Sequence, residues 1–328
     1  MEKRQTLDVA IAGCGPAGLA AALFLTRDGH RVTLFDQFAE PRPIGSGLML
    51  QPTGLAVLAE LGLASHILRL GRRIDRLFGR VVPSNRIVLD VRYNAGSFGL
   101  AVHRAALFDT LFDAVRAARI PIATGRRIAG LRQDRRGASV LFDTAAEGPF
   151  DLVIDALGMR SPLTTVRSRR ELSYGALWAT LPWPAGPFDE HALEQRYEKA
   201  SVMIGVLPIG RRREGERALT AFFWSLRPDL HALWREQGLE AWKKRALPLW
   251  PQTAPLLDAL HDADQFTLAR YTHHTVARPA GERVVAIGDA AHATSPQLGQ
   301  GANMALLDAW ALALALSTAS DLGAALEQ

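Results

Sequence analysis

Two glycine-rich turns, each following a short apolar run, carry the residues of this sequence whose types and spacing suit chemistry. The first is Gly13-Cys14-Gly15-Pro16-Ala17-Gly18, a G-x-G-x-x-G array directly after the apolar run over residues 7–12. Gly13 permits a tight turn, Gly15 lets a pyrophosphate approach the backbone, and Gly18 lets the next helix lie close to the strand. Residues 18–27 are rich in Ala and Leu and stop at Asp28-Gly29, as a helix would. The start of such a helix offers unpaired N–H groups and a positive dipole end to phosphates. A second apolar strand, residues 31–35, ends at Asp36. Its carboxylate is placed to accept hydrogen bonds from ribose hydroxyls, about twenty residues past the turn. Strand, turn, helix and acid together predict a dinucleotide site and leave NAD and FAD both open.

The second turn lies near the other end of the chain. Residues 283–287 read as a buried strand, followed by Gly288-Asp289-Ala290-Ala291-His292, then Pro296 and Gly299-Gln300-Gly301, then a helix over residues 302–316. A strand-end Asp289 can bind the hydroxyls of a polyol chain. The turn from Gly299 to Gly301 exposes backbone N–H groups at a helix start, where negative charge is favoured. Other candidates have plainer readings. His292 suits a structural role at a strand–helix junction. His273 and His274 are neighbours that a strand would point to opposite faces, so they cannot share a metal. No spacing resembles a zinc or iron site, and Ser161 lacks the G-x-S-x-G setting of a hydrolase. The absence of an amino-acid catalyst suits a protein whose cofactor carries the chemistry.

The elements between the turns have a different character. Residues 74–93 read as two strands around Pro83-Ser84-Asn85, residues 174–181, 201–207 and 218–226 as further strands, and residues 231–247 as one helix. On a strand Phe222 and Trp224 share a face while Phe223 points away, and a packed core is the expected place for them and for Trp178. At 328 residues with 48% hydrophobic and 22% charged residues, the chain can bury a large core. The net charge of +5 comes from scattered arginine pairs without interleaved aromatics, which argues for a solvated surface and against nucleic acid. A single cysteine, Cys14, excludes an intramolecular disulfide. Lys3 and Arg4 before an apolar stretch imitate a signal peptide, but Asp8 and the three glycines fit a nucleotide turn better. No run reads as a membrane span, and a soluble, cytoplasmic protein is expected. Nothing in the pattern sets an oligomeric state.

The stretch over residues 288–308 (GDAAHATSPQLGQGANMALLD) resembles the flavin-site motif of the aromatic-hydroxylase family, the single-component FAD monooxygenases. The first turn and His103-Arg104-Ala105-Ala106-Leu107 fit the same family. The resemblance implies an α/β fold: a Rossmann-like FAD-binding domain with an interleaved, mostly antiparallel β-sheet substrate domain. The division expected is 1–72, 97–170 and 276–328 for FAD, and 73–96 and 171–275 for substrate. It implies that Gly13, Gly15, Gly18 and Asp36 hold the adenosine diphosphate half of FAD and that Arg104 contacts it from the side. The Gly288-Asp289 turn would bind the ribityl chain, and Pro296, Gly299, Gly301 and Asn303 would line the isoalloxazine ring. Gly45-Ser46-Gly47 would pass close to the flavin.

Activity is implied too: an FAD-dependent oxidoreductase, a monooxygenase in which NAD(P)H reduces the flavin and one atom of O2 passes to a hydrophobic, aromatic or polyketide-like small molecule. The alternatives are a flavin-dependent reductase of an unsaturated lipid-like substrate and a flavin-binding protein without turnover. A halogenase is disfavoured because Trp183 stands outside any W-x-W-x-I-P element. The sequence departs from the family in two ways. Leu157 occupies the place of the usual acid of an Asp-Gly pair, with Asp155 two residues earlier on the same strand face, which puts nicotinamide use in doubt more than flavin binding. Members also continue past the last helix, where this sequence stops at Gln328. The segment they carry there packs beside the cofactor or closes the site, so its lack would reduce activity.

Overall fold

The computed structural model describes residues 6–41, 45–165, 168–296 and 299–327; Lys3, Arg4, Gln297 and Leu298 lie outside them. One half is built on a parallel five-stranded sheet. Its strand order is Val284–Ala286, Leu152–Asp155, β1 (Asp8–Ala12), β2 (Arg31–Phe35) and Ile122–Ala123. Val9, Ala10, Ile11 and Ala12 are wholly buried, as expected of a central strand covered on both faces. Helix α1 (Pro16–Arg27) follows, starting two residues before the expected Gly18 because proline suits the first helical position, where its missing N–H costs nothing. The long helix Gly301–Thr318 packs against α1. Among the described residues it is the one helix long and apolar enough to cross a bilayer. Its apolar face, with Ala305, Leu306, Ala309, Leu312 and Ala313, is buried in this core.

The other half is a seven-stranded sheet in the order Thr267–Ala269, Gly175–Pro182, Leu219–Leu226, Val202–Pro208, Ala192–Glu198, Arg76–Val81 and Ile87–Arg92. It is antiparallel except where Ala192–Glu198 runs parallel to Arg76–Val81. The Ala192–Glu198 strand escaped the sequence reading, because Glu, Gln and Arg break up its alternation.

One face of this sheet is covered by helices. Phe222 and Trp224 meet Trp234, Trp242 and Phe266 there in a cluster of edge-to-face rings. The single helix expected over residues 231–247 is two, His231–Gln237 and Leu239–Leu249, because Gly238 takes φ +83° between them.

The opposite, inner face meets a small sheet of Gly47–Leu50, Gly99–His103 and Arg72–Ile74 that joins the halves. Phe223 points to this inner face, as the alternation predicted, with its ring 4.5 Å from that of Trp178. Trp178 departs from expectation: it is half-buried on the inner face, where its Nε1 donates to Tyr271 Oη at 2.7 Å.

Candidate active site

The first turn is fixed by contacts no side chain could replace. Gly13 adopts φ +106°, and a Cβ there would lie 2.5 Å from the Ala156 carbonyl oxygen. At Gly18 a Cβ would sit 2.0 Å from the Gly13 carbonyl oxygen, so α1 can approach β1 only without one. Gly15 has open space before it. Asp36 lies beside this turn: its Oδ2 accepts from Cys14 N at 3.0 Å and its Oδ1 from Phe38 N at 2.9 Å. Each oxygen keeps a lone pair for a further donor. Burial and the Asp36 carboxylate push the Cys14 thiol far up, so it is no nucleophile.

The second turn folds back onto the first. Gly288 packs against Ala17 at the start of α1 and Ala305 on the last helix. Its N–H donates to Asp308 Oδ2 at 2.7 Å, and the same oxygen lies 2.6 Å from His292 Nε2. Hydrogen bonding to Asp308 raises the His292 pKa above its ordinary value, in keeping with the structural role read for it. Asp289, next in the chain, projects toward Arg104. Both side chains stay accessible to solvent although protein surrounds them, as groups lining a cleft do. Burial raises the Asp289 pKa, opposed by the Arg104 charge; burial also lowers the pKa of Arg104, opposed by Asp289.

Arg104 opens its helix and passes over Gly45, 3.4 Å from where a Cβ would stand. Next to it Ser46 Oγ meets Thr180 Oγ1 of the large sheet at 2.6 Å. Gly299 takes φ +60° and lies against Met49 and Gln51, and its N–H donates to the Pro296 carbonyl at 2.9 Å. Asn303 is wholly buried. Its Nδ2 donates to the carbonyls of Gly299 (2.6 Å) and Met49 (3.1 Å), and its Oδ1 accepts from Gln51 N at 2.8 Å. Its amide is therefore engaged with backbone and ties the Gly299 turn to the strand Gly47–Leu50. A Cβ on Gly301 would lie 3.8 Å from Asp289 Oδ1. The structure thus brings the two distant turns, Arg104 and the Gly45 segment together.

Tyr271 escaped the sequence reading, and His274 and Asp155, which it touched on, take up other roles. Tyr271 lies near Arg104 and receives the Trp178 indole; nothing in its local sequence marked it. His274 is buried, as its alternation with exposed His273 requires, and neither of its ring nitrogens has a partner among the described residues. It lies close enough to Asp289 to lower that carboxyl's pKa. Asp155 is fully buried and accepts from Leu157 N (3.1 Å), Ser161 Oγ (2.6 Å) and Thr164 Oγ1 (2.5 Å). It holds the loop after its strand and does not face the cleft as a free acid. The groups here suit FAD: a turn open at Gly15 to a pyrophosphate, an acid beside it, and a second acid, an orphaned imidazole and a guanidinium at the far turn. Among the described residues no group of His, Cys, Asp and Glu could hold a metal ion.

Fold and site suit FAD, and the chain's relatives make it an FAD-dependent oxidoreductase of the monooxygenase class. The chain belongs to the family described as FAD binding domain, whose sequence profile matches residues 6–324. It is 28% identical to the 2-heptyl-3-hydroxy-4(1H)-quinolone synthase of Mycobacteroides abscessus over 95% of this chain and 82% of that protein. It is 25% identical to the FAD-dependent urate hydroxylase of Klebsiella pneumoniae over 97% of this chain and 83% of the relative. Among solved structures, 2-methyl-3-hydroxypyridine-5-carboxylic acid oxygenase shares the fold with a TM-score of 0.85 at 23% identity, over 98% of this chain and 85% of that one.

Proposed function

We propose that this chain hydroxylates a hydrophobic aromatic small molecule, using NAD(P)H as electron donor and O2 as oxidant. The observation that carries the reading is the convergence of both glycine turns, Arg104 and Asp289, with the apolar inner face of the seven-stranded sheet reached through Ser46 and Thr180. The named relatives act on quinolone and urate rings, which supports an aromatic substrate. In this reading Gly13, Gly15, Gly18 and Asp36 hold the adenosine diphosphate portion, with phosphates at the start of α1. Arg104 offsets phosphate charge, and Asp289 accepts hydrogen bonds from the ribityl hydroxyls. The Gly299–Gly301 turn presents backbone N–H groups at the start of the last helix, where they stabilise negative charge on a reduced ring. Pro296 and Gly299 flank that ring, with Asn303 holding the turn in place. FAD, when bound, supplies electron transfer from the nicotinamide and activation of O2.

The chain divides, on this proposal, into a cofactor part (1–72, 97–170, 276–328) and a substrate part (73–96, 171–275). The test is the absorbance spectrum of FAD-loaded protein before and after anaerobic NADPH, then NADH, followed by product analysis in air. Bleaching of the oxidised-flavin bands and a hydroxylated aromatic product are expected. A hydrogenated product would replace this reading with a reductase, and no bleaching by either nucleotide would leave a flavoprotein without turnover.

A further inference from the structure

Strand register divides the seven-stranded sheet into two unlike faces. The helix-covered face carries Arg76, Asp90, Arg80, Glu194 and Arg196, with the Arg76–Asp90 pair at 2.6 Å. The inner face, alternating with it, has no Asp, Glu, Lys, Arg or His at any position of its seven strands. This face looks toward the cofactor side. A Cβ on Gly47 would touch Ile209 at 2.5 Å and Ala221 at 3.0 Å, and Thr180 meets Ser46.

One row across the inner face holds, in order, Trp178, Phe223, Gly205, Gln195 and Gly79. Both glycines leave gaps that rings fill. A Cβ on Gly205 would lie 1.8 Å from the Phe223 ring, and one on Gly79 would lie 2.6 Å from the Tyr197 ring. Between these two rings stands Gln195, only 7% exposed. Tyr197 Oη donates to its Oε1 at 2.9 Å, which turns the amide NH2 the other way. The acceptor found there is the Met203 thioether at 3.2 Å, a weak one. A buried amide donor so poorly satisfied gains most from a ligand oxygen.

We propose that this face, with Gln195 as its hydrogen-bond donor, selects an uncharged aromatic substrate bearing a ring oxygen. The proposal rests on the aromatic monooxygenase reading above and narrows its substrate class. A carboxylate on the ring would lose its hydration against a face that offers no cation. A bare aromatic hydrocarbon would leave the Gln195 donor on sulfur.

The test titrates the oxidised, FAD-loaded protein with 4(1H)-quinolone, naphthalene and 4-oxoquinoline-2-carboxylate, following the flavin absorbance. Quinolone is expected to bind about tenfold more tightly than either of the others. Q195M, matched in volume, is expected to erase the preference for quinolone over naphthalene while leaving naphthalene within about twofold. Q195E keeps the shape and replaces the donor with an acceptor, so it is expected to lose quinolone and retain naphthalene whether or not Q195M folds. Equal or tighter binding of the carboxylate, an unchanged preference in Q195M and Q195E, or binding of none of the three overturns the proposal. A wild-type protein that takes up no flavin refutes the cofactor reading before any ligand is added, so the two failures stay separate.

Discussion

The two halves of this molecule use their sequence differently. In the nucleotide half, backbone closeness decides: at Gly13 and Gly18 any added carbon collides with a carbonyl oxygen at 2.5 and 2.0 Å. In the large sheet, side-chain chemistry decides, with ions and packed rings on the helix-covered face and rings and one amide, without ions, on the other. A cofactor site of the first kind leaves its residues little freedom, whereas the second can be changed residue by residue while the strands stay paired.

That contrast can be broken most directly at Gly13. Gly13→Val is expected to weaken FAD binding by about a hundredfold or more, through strain at φ +106° and the clash with Ala156. Quenching of flavin fluorescence on titration measures it, and an affinity within threefold of wild type would refute the backbone argument. Asp289→Ala should cost about tenfold in the same assay, since it removes the acceptor proposed for the ribityl hydroxyls. Asn303→Ala cuts the tether between the halves. Loss of its three hydrogen bonds, one buried and two part-buried, should lower stability by about 2–3 kcal/mol in urea titration.

A smaller effect sharpens the comparison by pH. Because Asp308 raises the folded-state pKa of His292 above 6.5, the stabilisation is complete below the unfolded value and is lost as pH rises through the raised one. The wild-type Tm should therefore fall with increasing pH above neutrality more steeply than that of His292→Gln; parallel curves would remove the claim. The last change lies in the outer layer of the sheet half, away from the cofactor. Gly238→Ala meets no neighbour within 4 Å and should cost only the strain of φ +83° with ψ 161°, about 1–3 kcal/mol in urea titration, with flavin affinity unchanged.

What could be read from the sequence follows the same division. The nucleotide half was legible because each constraint is local: strand, turn, helix and acid lie within one stretch from Asp8 to Asp36. The second turn was legible by its resemblance to a flavin motif. The sheet half was legible only as strands. Ala192–Glu198 hid because its charged and polar residues face the helices and the Gln195 row alternately, with no apolar period to betray it. Trp178 and Tyr271 meet across 93 residues, and the engagement of Asp155 with Ser161 and Thr164 depends on a loop shape that spacing alone does not fix. Gly238 inside an otherwise continuous helical pattern was the one local signal that was read past.

The strand order of the parallel sheet has a consequence for how the chain comes together during synthesis. β1 pairs with Leu152–Asp155, which pairs in turn with Val284–Ala286, and the bonds Asp8–Asp151 and Asp151–Arg283 span 143 and 132 residues. Contacts of such separation close slowly, because the loop entropy is lost before the contacts form. The first glycine turn leaves the ribosome well before residue 286, whose arrival its sheet needs to be complete. Newly made chains should therefore capture flavin only after residue 286 has emerged, which makes cofactor uptake a late event in maturation.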